Sequence, residues 1–209
     1  PLLRHLGPGD LLLADRHFAG SPSLALIQAT GADFLMRKNA RLIVSQLPVV
    51  RRLGRNDFIT EIPMSKPARK ADSTLPEKVR VRLFKASWTT PAGEKVTEWF
   101  VTSLEDTTLY KKTALANLYH ERWQIETSYL EFKQLFHADI LRSKTVANIY
   151  KEFTAHVLAY QLVRLLIQSA ARKHRQKPTE ISFLHAARWV MSFSHRMAAV
   201  SVRSLPFVY

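Results

Sequence analysis

Four side chains between residues 119 and 133 have the types and spacing of a site. Tyr119, Arg122, Glu126 and Lys133 lie in a run free of Gly and Pro. At about 100° per residue they fall within roughly 60° of one another on a helix. A helix-edge carboxylate can ligate a hard divalent cation, and cations beside it suit an anionic ligand. The same four residues would equally make a solvated face laced with i,i+4 ion pairs. Charge distribution bears on the choice. The chain holds 31 Lys and Arg against 17 Asp and Glu, a net +14, yet residues 105–140 contain more acids than bases. An acidic helix in a basic chain is what a metal site inside a polyanion-binding surface looks like.

A second carboxylate stands upstream. Asp10-Leu-Leu-Leu-Ala-Asp15 is a short apolar run suited to a strand buried in a parallel sheet. Asp15 would then lie at the strand's carboxyl end, where α/β sheets place their ligands. The competing reading is an Asp that caps the turn Arg16–Gly20. Hard Mg²⁺ takes carboxylate ligands, and a metal pair can activate a hydroxyl and stabilise a departing oxygen. Asp15 and Glu126 are the two candidates for that work.

Tyr-x2-Arg-x3-Glu-x6-Lys, with Trp123 directly after the Arg, resembles the Tyr-Arg-Glu-Lys (YREK) signature of one branch of insertion-sequence DDE transposases. Asp15-Arg-His-Phe18 after its apolar strand is similar to the family's second acidic motif, and the two occur in family order. The resemblance implies that Glu126 and Asp15 are catalytic metal ligands for Mg²⁺, with Mn²⁺ able to substitute. It implies that Tyr119, Arg122 and Lys133 hold transposon-end DNA, and that a Trp could stack on an unpaired base near the cut. It further implies a ribonuclease H-like core with a β-rich insertion, acting on double-stranded DNA (transposon ends and target) as a homodimer in a synaptic complex. The family's first Asp lies well before its second, and Asp10 is too close to Asp15 to be that ligand. The chain therefore reads as the family's C-terminal portion with the first strands missing, and as inactive on its own.

The expected elements follow in order. Ser21-Pro22 opens a helix that stops at Gly31, and Asp33–Arg37 forms a strand closing a β-α-β unit. Strands at Arg41–Val44, Phe58–Ile62, Val79–Lys85 and Val96–Val101 make an antiparallel insertion, and Val79–Leu83 alternates with its apolar residues on one face and Arg80 and Arg82 on the other. Residues 63–72 form an exposed basic loop, and Arg51, Arg52 and Arg55 a basic cluster that suits phosphate. One helix is expected from about Thr107 to Phe136, with Asp106 or Thr107 as N-cap and Leu118, Ile125, Tyr129, Phe132 and Phe136 facing the core. A second long helix from Val146 to about Arg172 packs behind it, a third follows Pro178, and the tail 204–209 is extended. The architecture expected is α/β: a partial ribonuclease H-like core at 1–39, the β insertion at 40–104, and the catalytic and C-terminal helices at 105–209.

Absences narrow the classes. Without Cys there are neither disulfides nor thiolate zinc sites, and no His-Glu-x-x-His run occurs among the eight His. The apolar run 153–170 is interrupted by His156, Gln161 and Arg164, so no membrane partner is expected. The expected location is the bacterial cytoplasm, on the nucleoid. The alternative to an enzyme is a catalytically inactive remnant that retains only DNA binding.

Overall fold

The computed structural model describes residues 2–89, 93–136 and 140–198. It comprises two compact units, Pro1–Trp123 and Gln124–Tyr209. The expected extended tail and the turn at 137–139 lie outside the described residues.

The first unit opens with the expected β-α-β. Strands β1 (Leu11–Ala14) and β2 (Asp33–Arg37) run parallel, with Leu11 opposite Asp33 and Ala14 opposite Met36. Helix α1 (Ser21–Ala29) joins them, entered from Gly20 with Pro22 in its first turn, where a missing N–H costs nothing. Gly31 follows at φ +81, and a Cβ there would lie 2.9 Å from Pro8 Cγ, so backbone and space both demand glycine.

Four antiparallel strands continue the sheet: β3 (Val49–Gly54), β4 (Asp57–Pro63), β5 (Lys78–Thr89) and β6 (Lys95–Thr102). β6 pairs with β2, giving one six-stranded mixed sheet in the order β1-β2-β6-β5-β4-β3. The β-rich segment thus extends the parallel pair directly. Period-two alternation sends Phe34, Met36, Val79, Val81, Leu83 and Val101 to the face packed by Leu24 and Ile27 of α1. Leu35, Phe84 and Phe100 go to the other face, covered by Leu115, Ala116 and Tyr119 of α3 (Lys112–His120). Burying such side chains stabilises by about 1.5–3 kcal/mol each.

Several local expectations are corrected. Arg41–Val44 is not a strand; the chain there turns into a 3-10 segment at Val44–Gln46. The strand falls instead at β3, on the sheet edge, and carries the basic Arg51 and Arg52. The presumed loop contains a short helix, α2 (Lys66–Ala71), with Ser65 at its N-cap position and Pro67 in its first turn. Arg82 lies on the face opposite Val81 and Leu83 as alternation predicts, and because α3 and its lead-in segment cover that side of the sheet its side chain is fully buried. Asp106 caps a turn, accepting from the Thr108 backbone N–H at 2.8 Å, while the helix begins only after Lys111.

The expected continuous helix is broken. α3 ends at His120, and the Glu121 and Arg122 amides close i→i−3 bonds to Leu118 and Tyr119. α4 (Trp123–Phe136) starts afresh. No Gly or Pro marks the break; the last turn of α3 tightens as helix ends do. Of the intended core stripe, Leu118, Ile125 and Tyr129 are exposed, while Tyr119 is buried.

The second unit is helical. α5 (Val146–His174) is capped by Thr145, whose hydroxyl accepts from the Asn148 N–H, and stops at Arg175 in the left-handed region. α6 (Phe183–Ala198) packs Phe183 and Ala187 against Val163 and Ile167 of α5. α5 meets α4 as expected, with Phe132 edge-on to Phe153 and Tyr160 at 5.9 Å each. Its apolar surface exceeds what it buries, however: Leu158, Leu162, Leu165 and Leu166 are exposed. No described helix is long and apolar enough to cross a membrane.

Candidate active site

Asp15 immediately follows β1. It caps the 3-10 turn Arg16–Phe18, its Oδ1 accepting from the His17 N–H at 3.1 Å and lying 2.7 Å from His17 Nδ1. It also sits at the carboxyl edge of the parallel pair, with Oδ2 3.5 Å from Arg37 Nη2. Burial opposes its ionisation, but the His17 N–H, the His17 ring and the Arg37 charge together outweigh it and hold the carboxyl below its usual range. Asp15 is thus an anionic oxygen donor with its side chain 29% exposed, which is the chemistry a hard divalent cation takes.

Arg37, on β2, also lies 3.7 Å from Glu98 Oε1 on β6. Sequence reading singled out neither residue. The signal was the parallel register: Ala14 faces Met36, so the next residues, Asp15 and Arg37, share one sheet edge.

Tyr119 belongs to α3 and is 6% exposed. Its ring stands edge-on to Phe100 at 5.3 Å, and its hydroxyl donates to the Ala14 carbonyl at 3.2 Å. Arg122, in the break, is half-buried, and its guanidinium lies 5.8 Å from the centre of the Tyr119 ring. The first unit therefore brings Asp15, Tyr119 and Arg122 into one framework.

Glu126 and Lys133 belong to α4 in the second unit, Glu126 in the first turn and Lys133 in the last. Those signs complement the helix dipole. What fixes α4 is a cluster the sequence did not reveal. Glu131 pairs with Arg164 of α5 and accepts from the Tyr160 hydroxyl at 3.2 Å. The Arg164 guanidinium lies over the rings of Tyr160 and Phe183, at 5.3 and 5.0 Å. Glu131 lies five residues beyond Glu126 and two before Lys133 on the same helix, so this ionic and aromatic packing sets the rotation of the helix carrying both.

Asp15 and Glu126 are oxygen donors of the class a hard cation requires, but they lie in different units. No group of three or more His, Cys, Asp or Glu that could hold a metal occurs among the described residues. Of the tryptophans, Trp88 packs on Phe100 and His120 and Trp99 on Phe58, while Trp123 and Trp189 are exposed.

Comparison with known proteins supplies the family. The sequence matches the transposase DDE domain over residues 1–162. It is 29% identical over 215 residues to "Transposase InsG for insertion sequence element IS4" of Escherichia coli (strain K12), covering 98% of this chain and 46% of that relative. The chain thus spans about half the length of the curated relative it matches. With most of the sequence inside that match, the chain belongs to the transposase DDE-domain family.

Proposed function

We propose that the complete protein is a DNA transposase that hydrolyses phosphodiesters and transfers strands at transposon ends. The observation that supports this is the family match over residues 1–162, which spans both acidic motifs. In this reading the core is ribonuclease H-like, extended by the antiparallel strands of residues 40–104 and completed by the helices of 105–209.

Asp15 and Glu126 are the ligands for divalent metal, Mg²⁺ or Mn²⁺, together with a carboxylate outside this set. When bound, the metal supplies activation of the attacking hydroxyl and charge stabilisation at the leaving oxygen. The chain's own residues do the rest. His17 and Arg37 keep Asp15 ionised and oriented. Arg122 and Lys133 offer charge-assisted donors to the DNA backbone, a contact that positions the strand without reading its sequence. Tyr119 belongs to the same signature; its hydroxyl is donated to Ala14. The DNA partners are the transposon ends and the target duplex, held by a homodimer in a synaptic complex.

The test is Asp15→Asn and Glu126→Gln, made separately in the complete protein. Each abolishes end cleavage and leaves end binding nearly intact. Normal cleavage by either variant would overturn the assignment of that residue. A wild-type complete protein that bound ends without ever cutting would instead be an inactive remnant.

A further inference from the structure

We propose that the outer face of α6 is a docking surface for single-stranded nucleic acid. An unpaired base stacks on Trp189, and Arg188 meets a neighbouring phosphate. The inference goes beyond the cleavage reading, and its test involves no metal. α6 turns Phe183 and Ala187 into the core it shares with Val163 and Ile167 of α5. At about 100° per residue, His185, Arg188, Trp189 and Ser192 fall on the opposite side, with Phe193 at its margin. These five residues line one open recess. A helix held by its inner face alone would carry polar residues there. Instead Trp189 is 72% exposed, and its ring lies 6.1 Å from that of Phe193, tilted by 31°.

Chemistry selects the occupant. The two rings are already in contact, so a base stacks on the pair rather than between its members. Every base has a π-face that an exposed indole can receive whatever the sequence, whereas a duplex keeps those faces inside and offers only edges. The charge agrees. Residues 183–193 contain no Asp or Glu, and Arg188 stands beside Trp189 in the chain. The end of α5 and the turn after it add Arg172, Lys173, Arg175 and Lys177, all exposed. A second copy of the chain fits worse. A two-fold contact centred on this face would set Arg188 against its own mate, with no carboxylate on the face to receive either.

The test uses the complete protein with labelled oligothymidylate and oligouridylate, and a mixed-sequence duplex of the same length for comparison. Trp189→Ala should weaken single-strand binding by about tenfold and duplex binding by less than about twofold. Its thermal stability should stay as in wild type, because the side chain is exposed. Trp189→Phe keeps a ring and should retain most of the affinity. Arg188→Gln should flatten the logarithmic salt dependence of single-strand binding by about 0.7 units, the loss of one phosphate contact. The tighter binder of the two oligonucleotides tells whether DNA or RNA is the ligand. Unchanged single-strand affinity in Trp189→Ala would overturn the proposal, and so would an equal loss for the duplex. An altered sedimentation coefficient or a lowered stability in that variant, with single-strand affinity intact, would overturn it too, by showing the face covered by a second copy or by another part of the protein.

Discussion

Arg82 and Asp57 meet within the covered face of the sheet through two parallel hydrogen bonds, Nε to Oδ1 at 2.8 Å and Nη2 to Oδ2 at 2.7 Å. The remaining guanidinium nitrogen, Nη1, donates to the carbonyls of Leu104 and Tyr110, at 3.3 and 2.8 Å. One buried cation therefore ties β4 and β5 to the segment that leads into α3. Its charge is balanced and its donors are engaged, the condition under which a buried pair is tolerated.

Asp57→Ala should cost the first unit about 3–5 kcal/mol, because it strands the Arg82 charge in a dry interior. Replacing the pair together, Asp57→Leu with Arg82→Met, should be far milder. Chemical denaturation followed by the tryptophans of β5 and β6 compares the two. A double variant as unstable as the single one would show that the carbonyl contacts, not the charge balance, dominate.

Arg122→Ala and Lys133→Ala should each weaken binding to cleaved ends and flatten its logarithmic salt dependence by about one unit per lost phosphate contact. Lys133 is exposed, so its removal should leave stability within about 0.5 kcal/mol. A large loss of thermal stability with an unchanged slope would make these residues structural instead.

The Glu152 carboxylate accepts from the backbone N–H groups of Arg142 and Ser143, at 2.9 Å each. The Arg142 N–H foremost, with the Ser143 hydroxyl and N–H, draws its pKa down to about 2 from an ordinary 4.5. A depressed folded-state value means the stabilisation is whole above the unfolded pKa. It is lost as pH falls from about 4.5 through about 2. Amide protection at Arg142 and Ser143 should drop across that window, and Glu152→Ala should remove the pH dependence. Protection that stays flat in the wild type would refute the assignment.

The 209 residues alone should bind DNA weakly and without sequence preference, and should not cut it. Two carboxylates leave a metal pair short of ligands. Incubation with supercoiled plasmid and Mg²⁺ or Mn²⁺ checks this. Nicking that disappears in both Asp15→Asn and Glu126→Gln would show that two carboxylates suffice.

The β-α-β unit was legible because local signals agreed: an apolar run ending in Asp15, Pro22 at a helix start, Gly31 at its stop. The burial of Arg82 was not legible, for a tertiary reason. Alternation places it opposite Val81 and Leu83 but says nothing of what covers that face, and α3 lies thirty residues further on. Arg41–Val44 has strand-like composition and found no strand partner, while β3 lies at an edge where Arg51 and Arg52 can both stay wet. Strand propensity is a preference for a half-buried neighbourhood, and the sequence alone does not supply the neighbours. The break at Glu121–Arg122 left no mark because nothing in those two residues forbids a helix; packing of α3 on the sheet decides it. The frame of Asp15 was half visible, since its motif could be read but Arg37 and Tyr119 reach it only through pairing and packing.

Because the chain parts between Trp123 and Gln124, the four signature residues answer to two separate cores. A lesion at Leu115 or Phe100 disturbs the surroundings of Tyr119, and one at Ile167 or Phe183 those of Glu131 and its helix. Inherited damage to this motif would then fall into two classes, each sparing half of the signature, although the four residues sit within a single stretch of fifteen.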